Sequence, residues 1–225
     1  RDVFGFDGFR PGQGEIVEAG CAGRNVLAIM PTGGGKSLCF QLPALMRDGV
    51  TVVISPLIAL MRDQVRGLRE AGVEAGALTS GNTPEETDAV WDALEAGRLK
   101  LLYLAPERLA SSGTLQMLRR IRVQAIAVDE AHCVSQWGHD FRPDYLRIGE
   151  LRRALDVPLS AFTATADRET QDEIVTRLSI AAPGPRPNPC PARWARTGIP
   201  PVSIMVAWRP RIAASWKPAL RVRMG

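Results

Sequence analysis

The 225-residue sequence predicts an α/β fold: a parallel β-sheet flanked by helices over residues 1–180, then a disordered, Pro/Arg-rich tail over 181–225. Three observations predict it. Short apolar runs alternate with helical patterns up to about residue 180, as in a sheet whose strands are joined by crossover helices. The motifs rich in Gly, Asp, Glu and Thr fall just after those apolar runs, where a parallel sheet presents its strand ends. The alternation stops at Ala181, where the composition also changes.

The elements follow in order. Asn25–Met30 is a buried-strand run, a Gly-rich turn follows it, and Lys36–Met46 has the pattern of a helix. Val50–Ser55 is the second strand and Leu57–Ala71 has helical spacing. Glu74–Thr79 is the third strand. The helix at Pro84–Ala96 is announced by Thr83 followed by Pro84-Glu-Glu, an N-terminal capping signature. Leu99–Leu104, Val123–Asp129 and Val157–Thr163 complete six strands. Helices are expected at Thr114–Arg122, Tyr145–Ala154 and Arg168–Leu178. No internal repeat is visible.

Apolar residues make up 45% of the chain, enough for a substantial core. No apolar run approaches the ~20 residues of a membrane span, so no membrane partner is expected. The four cysteines are scattered without a C-x-x-C pair, so neither a disulfide framework nor a zinc site is expected, and a cytoplasmic setting fits, nucleoid-associated if bacterial. The net charge of +4 belongs to the tail. Residues 1–173 carry 19 basic side chains against all 24 acidic ones, whereas residues 174–225 carry nine basic and none acidic. Pro183, Pro185, Pro187, Pro189 and Pro191 alternate through a stretch that holds neither helix nor central strand. A basic arm gripping phosphates and an out-of-frame translation both account for such a tail, and the sharp break favours the second. Neither origin leads one to expect a cooperative unit with the folded part.

Met30-Pro-Thr-Gly-Gly-Gly-Lys-Ser37 between a strand and a helix start is a phosphate-gripping loop. Glycines at 33, 34 and 35 admit close approach of the backbone, and Thr32 lies in the same loop. Lys36 would reach the β/γ-phosphates of ATP and the Ser37 hydroxyl would ligate Mg²⁺. About ninety residues on, Asp129-Glu130 ends a strand. The first acid suits the Mg²⁺ shell and the second a water attacking the γ-phosphorus. An exposed loop mixing Trp137, Phe141 and Tyr145 with His139 and Arg142 offers stacking faces for unpaired bases and a cation for phosphate.

From about Phe4 to Leu178 these motifs, in this order, resemble the first motor domain of a RecQ-family DNA helicase of superfamily 2. The resemblance implies a RecA-like P-loop domain. It implies that Gln13 in Phe4-Gly-Phe-Asp-Gly-Phe-Arg-Pro-Gly-Gln13 reads adenine with Arg10 beside it. Asp129-Glu-Ala-His132 then supplies Glu130 and His132 to the catalytic set together with Lys36. Ile54-Ser-Pro-Leu and Ala105-Pro-Glu-Arg are similar to strand-end loops that hold a nucleic-acid backbone, which implies contacts from Ser55, Pro56 and Arg108. Cys133-Val-Ser-Gln-Trp-Gly-His-Asp-Phe-Arg-Pro-Asp-Tyr145 resembles the family's aromatic-rich DNA sensor, implying roles for Gln136, Trp137, His139, Phe141, Arg142 and Tyr145. Thr163 and Thr165 lie in the segment that couples hydrolysis to DNA.

The resemblance thus implies an ATP-dependent 3′-to-5′ helicase acting on single-stranded and partly duplex DNA in recombination and repair. The family closes ATP between two lobes, the second supplying an arginine finger worth ~10³–10⁵ in rate in other NTPases. That second RecA-like lobe is expected to be missing from these 225 residues. A truncated helicase and a motor-incompetent ATP- and DNA-binding module are therefore the two readings in competition.

Overall fold

The computed structural model describes residues 3–5, 7–136 and 140–180, and the backbone of 204–207. All six expected strands form, each one to two residues shorter at its ends: β1 (Val26–Ile29), β2 (Val50–Ile54), β3 (Ala75–Leu78), β4 (Leu101–Leu104), β5 (Val123–Val128) and β6 (Leu159–Thr163). The expected helices form as α2 (Lys36–Leu45), α3 (Ile58–Glu70), α4 (Pro84–Glu95), α5 (Ser112–Arg120), α6 (Leu146–Leu155) and α7 (Arg168–Arg177). One helix had no counterpart among the expectations: α1 (Gln13–Cys21) precedes β1. Its sequence holds two glycines and opens after Gly12 with no side-chain cap, so the strongest start signal is absent.

The tail departs from expectation at one place. Ile204–Ala207 forms β7, which runs parallel to β1 in the register Val26↔Ile204. The alternating prolines at 183–191 lie outside the described residues. The strand order is β3-β4-β2-β5-β6-β1-β7, and every pairing is parallel. Parallel pairing requires crossovers, and the helices supply them on both faces.

Two apolar layers result. Val53, Leu101, Tyr103, Ala127 and Phe162 face α1, α2 and α3 through Ile16, Phe40 and Met61. Their neighbours Val52, Ile54, Leu102, Leu104 and Ile126 face the opposite layer of Val90, Leu118, Ile148 and Ile174 from α4 to α7. Adjacent residues of one strand thus serve different layers, the period of two that a strand imposes. Thr83 caps α4 as its sequence predicts, accepting the Glu86 N–H while Glu86 accepts the Thr83 N–H. Among the described residues no helix is long and apolar enough to cross a membrane.

Candidate active site

Because every strand runs the same way, the residues following β1, β2, β5 and β6 leave the sheet at one edge. The loop after β1 is built around glycine for two reasons. Gly33 and Gly35 have φ of 75° and 80°, in the left-handed region that side chains avoid. A Cβ on Gly34 would lie 2.8 Å from the Pro31 carbonyl oxygen, and one on Gly35 would run into Gln13 Nε2. Lys36 and Ser37 then open α2, whose first-turn N–H groups have no intrahelical acceptor. That combination of free amides, a cation and a hydroxyl suits a polyphosphate.

Gln13, at the start of α1, and Arg10, just before that helix, close on this loop. Gln13 is 3% exposed, accepts the Arg10 N–H at 2.7 Å, and donates from Nε2 to the carbonyls of Gly35 (3.1 Å) and Gly34 (3.3 Å). The Arg10 guanidinium donates to the Gly33 carbonyl. Sequence reading places these two residues at the nucleotide, and the fold brings them to the phosphate loop itself.

Asp129 follows β5, its N–H bonded to the Ile54 carbonyl at 2.8 Å. Burial, and then the neighbouring Glu130, push its carboxyl above the ordinary aspartate range. The Glu130 N–H (3.0 Å), the Lys36 charge and the Ser55 hydroxyl (3.3 Å) act the other way. A carboxylate that burial and a like charge make costly to ionise is one that a divalent cation stabilises. Asp129 and the Ser37 hydroxyl are hard oxygen donors of the kind that suits Mg²⁺, whose remaining ligands would come from phosphate and water. Among the described residues no three His, Cys, Asp or Glu side chains gather into a metal cage.

Glu130 itself adopts φ 46°. Its carboxylate lies 3.4 Å from His132 Nδ1, and the same nitrogen is 2.9 Å from the Thr163 hydroxyl oxygen. Thr163 Oγ1 also accepts the Thr165 N–H at 3.3 Å and donates to the Thr165 carbonyl at 3.0 Å. His132 therefore links the acid pair to the turn after β6.

The residues expected on nucleic acid divide. Pro56 and Phe141 are half-buried, Arg108 is half-buried with its Nε lacking a partner, and Gln136 and Arg142 are exposed. Trp137 and His139 lie outside the described residues. Two of the expected contacts are turned inward. Ser55 is 2% exposed and serves Asp129. Tyr145 is fully buried, and its hydroxyl donates to the Asp129 carbonyl at 3.0 Å. Neither offers a face to a base or a phosphate. An aromatic in a polar segment reads equally as a stacking face or as a local core residue, and here the core claimed it. No local signal pairs residue 145 with residue 129.

The profile of the DEAD/DEAH box helicases matches residues 10–174, which span the phosphate loop, the acid pair and the threonine turn. The chain belongs to that helicase family. Within the DEAD/DEAH helicases it is similar to RecQ proteins over about four fifths of its length. It is 49% identical to the ATP-dependent DNA helicase RecQ of Haemophilus influenzae over 181 residues, which cover 80% of this chain and 29% of the relative. It is 49% identical to RecQ of Bacillus subtilis over 180 residues, or 79% and 30% of the two chains. The chain thus spans about three tenths of the length of these relatives. The fold is shared with the Pyrococcus furiosus Hef helicase domain, with TM-score 0.58, 25% identity, and 77% of this chain and 37% of that one covered. It is shared too with the DUF1998 helicase MrfA bound to DNA, with TM-score 0.63, 19% identity, and 76% and 27% covered.

Proposed function

We propose that this chain is the ATP-binding lobe of a RecQ-type 3′-to-5′ DNA helicase serving recombination and repair. The observation that carries the reading is the pair of bonded strings that meet at one sheet edge. One runs from Gln13 to the phosphate loop, and the other from Glu130 through His132 to Thr163. In it, Lys36 and the loop amides hold the phosphates and Gln13 reads adenine with Arg10. Ser37 and Asp129 hold Mg²⁺, which neutralises phosphate charge. Glu130 orients and deprotonates the attacking water, and Thr163 and Thr165 relay the state of the site to bound DNA. Pro56, Arg108, Gln136, Trp137, His139, Phe141 and Arg142 remain the proposed contacts to single-stranded and partly duplex DNA.

The described residues form one lobe, and transition-state charge in such motors is neutralised from a second. On its own, then, the 225-residue chain should bind Mg·ATP and DNA without unwinding. A strand-displacement assay separates motor from binding module. Nucleotide binding tests the site: a fluorescent ATP analogue should bind the parent and lose at least about tenfold in affinity in Lys36→Ala, which removes a charge-assisted contact worth ~1.5–3 kcal/mol. Gln13→Ala should relax the preference for adenine over guanine. Equal binding by Lys36→Ala and parent would refute the loop assignment.

A further inference from the structure

Beyond the network just described, the segment leading into the aromatic loop is bonded to α7 by a single acidic side chain. Glu173 Oε2 accepts the backbone N–H of Gln136 at 3.1 Å, and the Ser135 hydroxyl bonds to the same carboxylate. Its other oxygen receives the Arg177 guanidinium, from Nη2 at 2.8 Å and from Nε at 3.0 Å. The cluster is well enclosed: the Glu173 side chain is 16% exposed and Ser135 is fully buried. These bonds lower the carboxyl below the ordinary glutamate range even though its partial burial acts the other way.

The place of Glu173 in the fold gives the contact its meaning. Ile174, the next residue, and Leu178, at the C-terminal end of the helix, are fully buried in the core, so α7 is a fixed wall. α7 begins directly after Thr163–Thr165, capped by Asp167. At the near end of the same stretch, His132 meets the Thr163 hydroxyl at 2.9 Å. Residues 132–136 are thus bonded twice to residues 163–173, once at each end. A chain held at two points cannot slide or rotate against its wall without breaking one of them.

We infer that Glu173 is a positioning residue that fixes the entry to the aromatic segment against α7, so that the loop carrying Asp129 and Glu130 and the turn after β6 shift as one unit. Glu173 touches neither phosphate nor base. It sets how strongly occupancy of the nucleotide site and occupancy of the aromatic segment influence one another, and it rests on the functional reading proposed above. Coupling of that kind is reciprocal: nucleotide must change DNA affinity by the factor by which DNA changes nucleotide affinity.

The experiment compares the 225-residue parent with Glu173→Ala and Glu173→Gln. The isosteric glutamine keeps one acceptor oxygen for the Gln136 N–H but loses the charge and puts an NH2 donor where an oxygen received Arg177. Affinity for a single-stranded oligonucleotide is measured with and without a non-hydrolysable Mg·ATP analogue, alongside amide hydrogen exchange of the peptide holding Ser135 and Gln136. Glu173→Ala should bring the ratio of the two DNA affinities to unity while each ligand alone binds within about twofold of parent. Its Gln136 amide should exchange about fivefold faster or more, the loss of one net hydrogen bond. Glu173→Gln should keep both parental values; a lost ratio in that variant at parental Gln136 exchange also overturns the inference, so the test stands even if the alanine variant does not fold. A merely structural role would weaken each ligand separately and leave their ratio intact. Unchanged Gln136 exchange in Glu173→Ala, a retained ratio in that variant, or a ratio of unity in the parent overturns the inference. A parent that binds no nucleotide overturns the functional reading instead.

Discussion

Asp129 shows how one residue of this site is made by its neighbours rather than by its own sequence context. Its carboxyl meets Ser55 just after β2, its own strand ends beside Ile54, and its carbonyl is capped by Tyr145 from sixteen residues further on. Each partner removes a freedom that a loop acid would otherwise have. Tyr145→Phe deletes only the hydroxyl and leaves a buried carbonyl without that donor, which costs about 1–3 kcal/mol. We expect chemical denaturation to register that loss while single-stranded DNA affinity stays within about twofold of parent. A fall in DNA affinity in Tyr145→Phe, at unchanged stability, would return the tyrosine to the nucleic-acid surface. Burial pushes the Cys133 thiol in the same segment up to about 11, so it stays protonated and unreactive at neutral pH.

Among the helices, two glycines make opposite predictions from the same substitution. Gly67 lies inside α3 with open space where its Cβ would go, so Gly67→Ala should stabilise by about 0.4–1 kcal/mol through helix propensity and a less free unfolded chain. Gly149 lies inside α6, and its Cβ would run into the Arg177 carbonyl at the end of α7. Gly149→Ala must therefore push the helices apart, at a cost of about 1–3 kcal/mol that outweighs the propensity gain. Thermal unfolding of both variants reads the two signs, and a stabilised Gly149→Ala would mean that α6 and α7 are not in close contact. The N-terminus of α7 adds a pH signature. The Asp167 carboxylate accepts the Thr170 N–H at 2.8 Å, and those bonds lower its pKa below 3.8. A depressed carboxylate stabilises the fold above the unfolded value and loses that contribution as pH falls through the folded one. Asp167→Ala should accordingly melt below parent at neutral pH and converge with it in acid. A gap that persists unchanged below the folded pKa would assign the loss to something other than the charged cap.

At the scale of the whole molecule, β7 changes what the basic tail is expected to do. A tail independent of the lobe would leave thermal stability unchanged when removed, but Ile204–Ala207 pairs along the outer edge of β1. Deleting 181–225 uncovers that edge, the same strand whose C-terminal end feeds the phosphate loop. At about 1 kcal/mol per net hydrogen bond and ~2–4 °C per kcal/mol in a chain of this size, the melting midpoint should fall by several degrees. An unchanged midpoint would show that the pairing contributes nothing. The tail's arginines and lysine should also add DNA affinity that is lost steeply with salt and shows no preference for single strands. Salt-resistant, strand-selective binding lost on deletion would make the tail a dedicated binding arm.

The first six strands, six of the seven α-helices among the described residues and the glycine-rich loop after β1 were legible in the sequence because each is specified locally. Strand runs, helical spacing, the Thr83 capping box and the Gly33–Gly35 turn draw on residues within a few positions of one another. The acid pair was legible for the same reason. Missing from that local record were α1, which lacks a side-chain cap and a basic last turn, and β7, whose four residues pair with the edge that β1 offers. The identities of Ser55 and Tyr145 as partners of Asp129, and of Glu173 as the anchor of residues 135–136, were likewise invisible. Those contacts cross 74, 16 and 37 residues of chain respectively. Sequence by itself determined the parts and their order, since propensity, capping and glycine geometry act over one or two turns. Only the tertiary structure decided which polar groups meet, because the parallel sheet delivers strand ends to one edge whatever their separation along the chain.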